Sequence, residues 1–165
     1  MTERSVDVLI EIPKGSRSKY ELDQKSGRLR LDRVLHSSVH YPADYGFILD
    51  TLARDGDPLD VVVVSEEPAV PGSLLAARPI GLLDMADEKG PDEKVLAVPV
   101  GDPRFDEIRA LDDLPKHWQL EIATFFDTYK ALEGGKGAIV KGWRGADAAW
   151  RAVQSSQDAF RKSRR

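Results

Sequence analysis

Asp55-Gly56-Asp57-Pro58-Leu59-Asp60 runs directly into Val61-Val62-Val63-Val64, and no other stretch constrains the fold as much. Gly56 and Pro58 punctuate a tight turn. The valines that follow read as a buried strand. The fold must therefore sink this strand into a core while keeping three carboxylates at its mouth. Like charges so close repel one another unless something positive sits between them. Oxygen donors without thiol or imidazole suit Mg²⁺, Mn²⁺ or Ca²⁺ rather than zinc or copper. Taken alone, such a turn is as readily a solvated loop. It also fails the EF-hand pattern, because Leu59 takes the fifth loop position and no glycine follows at the sixth.

Further strands surround it. Val6, Val8, Ile10 and Ile12 alternate with Asp7, Leu9 and Glu11, the period of a strand with one buried face. Pro13-Lys14-Gly15-Ser16 ends it. Residues 19–22 and 28–35 flank Asp23-Gln24-Lys25-Ser26-Gly27 and predict a hairpin. Residues 40–47 carry two tyrosines around Pro42 and are expected to form an ordered loop. Strands are predicted at 60–65, 74–83 and 94–100, separated by turns at Pro71-Gly72 and Lys89-Gly90-Pro91. Then the period changes. Trp118, Ile122, Phe125, Tyr129 and Leu132 recur at four, three, four and three residues, an amphipathic helix. Pro115 suits its first turn and Gly134-Gly135 its end. A short strand at 138–140 and a closing helix through Ala146, Ala149, Trp150, Val153 and Phe160 complete the pattern, with 161–165 a basic, frayed tail. Short strands followed by helices predict one α+β domain over 1–165, built on a closed or nearly closed sheet.

Several function classes fall away on composition. Charged residues make up 32% and apolar residues 41%, ordinary for a globular protein. A net charge of -4 gives no reason to expect nucleic acid as a partner. Cysteine is absent, which excludes disulfides, thiol nucleophiles and thiolate metal sites. Asparagine is absent too, and with it any N-glycosylation acceptor. No apolar run approaches the ~20 residues of a membrane span, and Met1-Thr2-Glu3-Arg4 lacks the core of a signal peptide. A cytoplasmic location is expected. His36, His40 and His117 accompany no serine in a nucleophile-elbow pattern, and neither a Walker A loop nor a GxGxxG fingerprint occurs.

A second acidic segment, residues 84–94, repeats carboxylates around a Gly-Pro turn between strands. Singly, its commoner fate is a charged surface turn. Two such loops at the ends of neighbouring strands could converge on one metal cluster. Basic groups fall nearby in pattern: Lys19 and Glu21 share a strand face, Arg33 sits among apolar neighbours, Lys94 opens a strand and Tyr129-Lys130 closes the helix. Each alone is an ordinary solvated charge, and Tyr129 continues the apolar stripe. Together they suit a polyanion bound through metals, the arrangement phosphoryl transfer requires.

Glu11-Ile12-Pro13, Lys19-Tyr20-Glu21, Asp32-Arg33, Tyr41-Pro42-Ala43-Asp44-Tyr45-Gly46, the Asp55 to Asp60 hexapeptide, Asp87 to Lys94 and Tyr129-Lys130 resemble, in order, the soluble family I inorganic pyrophosphatases. The resemblance runs from about Val6 to Trp143, looks most similar to bacterial, actinobacterial members, and is most specific at the hexapeptide. It implies a five-stranded, OB-like closed β-barrel flanked by helices, and Mg²⁺-dependent hydrolysis of pyrophosphate. Carried over by motif, Asp55, Asp60 and Asp92 would hold a first metal, with Asp60 bridging to a second. Asp87 and Asp92 would take a third that arrives with substrate, and Glu11 would serve a fourth through water, for three to four Mg²⁺ (or Mn²⁺) ions in all. Asp57 would be the general base toward the metal-bridging water. Lys19, Arg33, Lys94, Tyr129 and Lys130 would contact phosphates, Tyr45 would line the site and Glu21 would orient its neighbours. Where some relatives carry histidines, Gln24 and Lys89 flank this site. A homohexamer is the expected assembly. The residues alone leave two other readings, a Ca²⁺-stabilised binding module and an OB-type nucleic-acid binder. The set Lys19, Arg33, Lys94 and Lys130 separates the hydrolase from the former, since a structural Ca²⁺ site needs no anion contacts. Net charge and the lack of an aromatic strand platform disfavour the latter.

Overall fold

A computed structural model of the chain describes residues 3–135 and 137–165. The strands, in chain order, are β1 (Val6–Ile12), β2 (Ser18–Asp23), β3 (Arg28–Val34), β4 (Asp44–Ile48) and β5 (Asp60–Val63). They continue as β6 (Leu74–Asp87), the two-residue β7 (Gly90–Pro91), β8 (Lys94–Pro99) and, after helix α1 (Lys116–Thr128), β9 (Ala138–Gly145). Helix α2 (Ala146–Ser163) ends the chain. No described helix is long and apolar enough to cross a membrane.

Five strands close into a ring. β1 pairs antiparallel with β4, β4 with β5, β5 parallel with β8, β8 antiparallel with β6, and β6 antiparallel back to β1. Closure leaves no unpaired edge inside the ring. This is the five-stranded, OB-like architecture with flanking helices that the resemblance implied. β9 lies along the second half of β6, and β7 folds back on Ala86 and Asp87. β2 and β3 form a separate hairpin that touches the ring through β1.

The apolar runs follow from two cores on opposite faces of the same strands. Val61, Val63, Val95 and Ala97 pack with Ala148, Ala149 and Val153 of α2. Their neighbours Val62, Val64, Leu96 and Val98 pack with Ile122, Phe125 and Phe126 of α1. A strand buried on both faces cannot show polar alternation.

That also explains why one ring strand reads as a loop in the sequence. Residues 40–47 were expected as a loop, yet Asp44–Ile48 is a strand with all five residues buried. It lies between β1 and β5, and its Gly46 faces β1 so closely that an added Cβ would fall on the carbonyl oxygen of Leu9. β6 runs on to Asp87 rather than stopping at 83, so the second acidic segment begins inside a strand. β9 continues beyond 140 to Gly145 because β6 offers it a partner along that length. Pro115 stands at the N-cap of α1, before its first turn, and α1 stops at Thr128. Beyond it, Ala131 donates to Thr128 and Glu133 to Lys130, the three-residue spacing of successive tight turns. These turns rotate Leu132 out of the apolar stripe, leaving it 67% exposed. The basic run from Arg161 begins inside α2, which extends to Ser163.

Candidate active site

One cleft of about 410 Å³ opens where the β2–β3 hairpin, the β4–β5 loop, the β6–β8 turn and the end of α1 meet. All the site residues singled out in the sequence line it, on seven separate stretches of chain.

Parallel pairing of β5 and β8 sets Asp60 beside Lys94. The Lys94 ammonium, 4% exposed, lies 2.8 Å from Asp60 Oδ2 and 3.0 Å from Asp92 Oδ2, and donates to the Tyr45 hydroxyl at 2.8 Å. Burial works to strip its proton, but Asp60 and Asp92 hold its pKa well above the usual lysine value. One lysine does not neutralise two carboxylates. Burial first, and then the charge of Asp60, raise Asp92 despite the ion pair.

The β4–β5 loop is a compact turn. Ala53 donates to the carbonyl of Asp57 at 2.7 Å and Gly56 to Ala53 at 3.1 Å, while Asp55 Oδ1 accepts from the Asp57 amide at 2.9 Å. Gly56 has φ +87°, which only glycine adopts without strain. The turn leaves Asp57 exposed at the cleft rim, its pKa raised by partial burial and by the charges of Asp55 and Asp60.

Glu11 reaches the cleft from β1, with Oε2 accepting from the Leu22 amide at 2.8 Å. Burial, helped by the charge of Asp60, pushes it up to about 7. Asp87 ends β6 and accepts from the Lys89 amide at 2.9 Å. Lys130 stands 3.8 Å from Asp87 and 3.6 Å from Glu88.

On the hairpin, Lys19 and Arg33 are register partners. Lys19 contacts Glu21 at 2.5 Å and Asp32 at 3.2 Å, and Arg33 contacts Asp32 at 2.5 Å. Tyr129 serves both readings of its sequence position. It stacks on Phe125 with centroids 5.3 Å apart, meets Phe126 edge-on, and still lines the cleft. Burial lifts its hydroxyl to about 12, so it is a neutral donor at pH 7.

Two partners escaped the sequence. Glu88 faces Lys130, and Glu133 lies 3.0 Å from Arg33 Nη2 from outside the cleft lining. The apolar period, extended to Leu132, placed Glu133 past a helix end; no local signal marks it as buried.

Carboxylates outnumber cations along the lining, and all the acidic donors are hard oxygens. Among the described residues no three acidic or histidine side chains already form a metal cage. Asp60 and Asp92 instead close on Lys94, and Asp87 on Lys130. Burial, reinforced by neighbouring carboxylates, raises Glu11, Asp57 and Asp92, and small divalent cations fit that donor set.

Comparison with known proteins gives a consistent result. The family model described as "Inorganic pyrophosphatase" matches residues 8–161. The chain is 52% identical to an inorganic pyrophosphatase of Methanosarcina acetivorans, over 97% of this chain and 95% of that protein. It is 51% identical to one from Leifsonia xyli, over 90% and 91%. Among solved structures, the inorganic pyrophosphatase of Thermus thermophilus superposes with a TM-score of 0.93 at 47% identity, covering 95% of this chain and 91% of that one.

Proposed function

The chain belongs to the inorganic pyrophosphatase family and is a diphosphatase, and from that premise we propose Mg²⁺-dependent hydrolysis of pyrophosphate to two orthophosphates with Asp57 as general base. The observation that carries this reading is the convergence, in one cleft, of acidic oxygens with phosphate-seeking cations that a purely structural cation site does not need.

Asp55, Asp60 and Asp92 would hold a first ion, and Asp60 would share a second. Asp87 and Asp92 would take a third and Glu11 a fourth, with Mn²⁺ as an alternative to Mg²⁺. When bound, such ions neutralise phosphate oxygens and bring the pKa of the attacking water from ~15.7 toward neutrality. Asp57, at the rim with its pKa raised, takes the proton from that water as it attacks phosphorus. Its carboxylate stays free to do so because its neighbour Asp55, not Asp57, accepts the loop's amide bond.

The cations receive the charge that shifts to the leaving phosphate. Lys19 and Arg33 approach from the hairpin, Lys130 and the neutral Tyr129 hydroxyl from the turn after α1, and Lys94 from the floor beside Tyr45. Glu21, at 2.5 Å, orients Lys19. Buried aromatic rings beneath Lys94 and Tyr129 keep water from the floor. A cytoplasmic homohexamer, without nucleic-acid or membrane partners, is the setting proposed from the family.

Phosphate release from pyrophosphate by the purified chain with Mg²⁺ tests the reading. Rapid Mg²⁺-dependent release is expected. No release at saturating Mg²⁺, with Ca²⁺ still raising the melting temperature, would overturn it in favour of a structural Ca²⁺ module.

A further inference from the structure

Arg33 lines the cleft, but the group that aims it does not. Its Nη2 lies 3.0 Å from Glu133 Oε1, and the Glu133 side chain is only 3% exposed. Its other contact, Asp32, is its own chain neighbour and 35% exposed. A buried carboxylate is costly to desolvate, and an ion pair there is weak evidence for stability; what this pair does supply is a fixed geometry between its two partners.

The arrangement here joins two otherwise separate pieces. Among the described residues the β2–β3 hairpin pairs with no other strand, and it meets the ring through β1. Glu133 belongs to the tight turns after α1, where its amide donates to the carbonyl of Lys130 at 2.9 Å. That same stretch presents Tyr129 and Lys130 to the cleft. The Arg33–Glu133 bridge thus fixes the hairpin's cations relative to those of the α1 turn, across the space between them.

We propose that Glu133 is a positioning residue for substrate binding, holding the Arg33 guanidinium and the hairpin in register with Tyr129 and Lys130. The proposal rests on the reading of the cleft as a pyrophosphate site. Without Glu133, Arg33 keeps, among the described residues, only the partly exposed Asp32 as an acidic partner, and its charge turns from the phosphate position toward the hairpin's own carboxylates.

The test is a double-mutant cycle of Glu133→Gln and Arg33→Ala, read by kcat and KM for pyrophosphate and by calorimetric affinity for the non-hydrolysable analogue methylenediphosphonate, both with Mg²⁺. Misplacing one anchoring group by about 1 Å costs up to about 100-fold. Glu133→Gln is therefore expected to lower kcat/KM by about 10–100-fold, with weaker analogue binding, and Arg33→Ala to do the same. The double variant is expected to be no worse than the poorer single by more than about threefold, the signature of residues acting as a unit. If Glu133→Gln does not fold, Glu133→Asp, which keeps the charge on a shorter arm, replaces it in the same cycle. Losses that multiply, or a Glu133 variant with wild-type kcat/KM and only a lower melting temperature, would overturn the proposal. Arg33→Ala at full activity would overturn it while sparing the pyrophosphate reading, whereas a wild-type protein inert toward pyrophosphate would remove that reading itself.

Discussion

Asp57 and Lys94 share a cleft but have opposite surroundings. Lys94 is buried among Asp60, Asp92 and Tyr45, whereas Asp57 sits exposed on a turn held by backbone bonds. Replacing Asp57 would therefore remove the proposed proton acceptor without opening a cavity. Asp57→Asn is predicted to keep its melting temperature while kcat falls by about 10²–10⁴, the usual contribution of a general base. Turnover within twofold of wild type at saturating Mg²⁺ would take Asp57 out of that role. At this scale the sequence was most informative where chemistry is local. Residues 55–60 set turn and carboxylates together, so their place at a strand mouth could be read directly. Glu133 could not, because its burial depends on α1 stopping at Thr128, where tight turns replace helical bonding.

Strands with clear alternation or uninterrupted valines were legible, since period and burial coincide in them. Asp44–Ile48 was not: it mixes an acid, a glycine and aromatics, and is a strand only because β1 and β5 flank it. Gly46 makes that contact with β1 feasible. Gly46→Ala is predicted to cost more than ~3 kcal/mol, beyond ordinary overpacking because rigid backbone is what the methyl meets. A thermal melt within a few degrees of wild type would contradict it. A second element-level device lies where the ring closes. Glu3, just before β1, meets Arg78 of β6 at 2.5 Å and Arg109 at 2.7 Å. These arginines, Arg78 foremost, hold its pKa below the usual 4.5. A depressed carboxylate stabilises the fold above its unfolded pKa, and the contribution is lost as pH falls through the folded value. The melting-temperature gap between wild type and Glu3→Gln should therefore be widest near neutrality and shrink below about pH 4.5. A gap that stays constant down to pH 3 would show that the charge is irrelevant.

Across the molecule, the acidic lining is a cost to the folded state that bound divalent cations would offset. A ligand that binds only the folded form raises the melting temperature with its concentration. Mg²⁺ requires near-octahedral geometry at ~2.0–2.1 Å, whereas Ca²⁺ takes 6–8 oxygens at ~2.3–2.6 Å. Carboxylates accept both, but a looser shell aims water poorly at phosphorus. Both ions are predicted to stabilise the fold, and Ca²⁺ to inhibit phosphate release against fixed Mg²⁺. Melting temperature and phosphate release followed in parallel along a Ca²⁺ titration check this, and full activity with Ca²⁺ alone would sink the mechanism. The closed ring also imposes an order in time. Its seam joins Val6 to Ala77, and the cleft draws on Glu11 at one extreme and Lys130 at the other. During synthesis the first acidic turn emerges well before Lys94, whose ammonium pairs with Asp60, and such distant pairings form slowly. The nascent chain thus carries Asp60 without the ammonium that pairs with it, and the cleft, which needs Tyr129 and Lys130, is among the last features it acquires. Divalent cations drawn to that cleft would then stabilise the finished molecule rather than guide its construction.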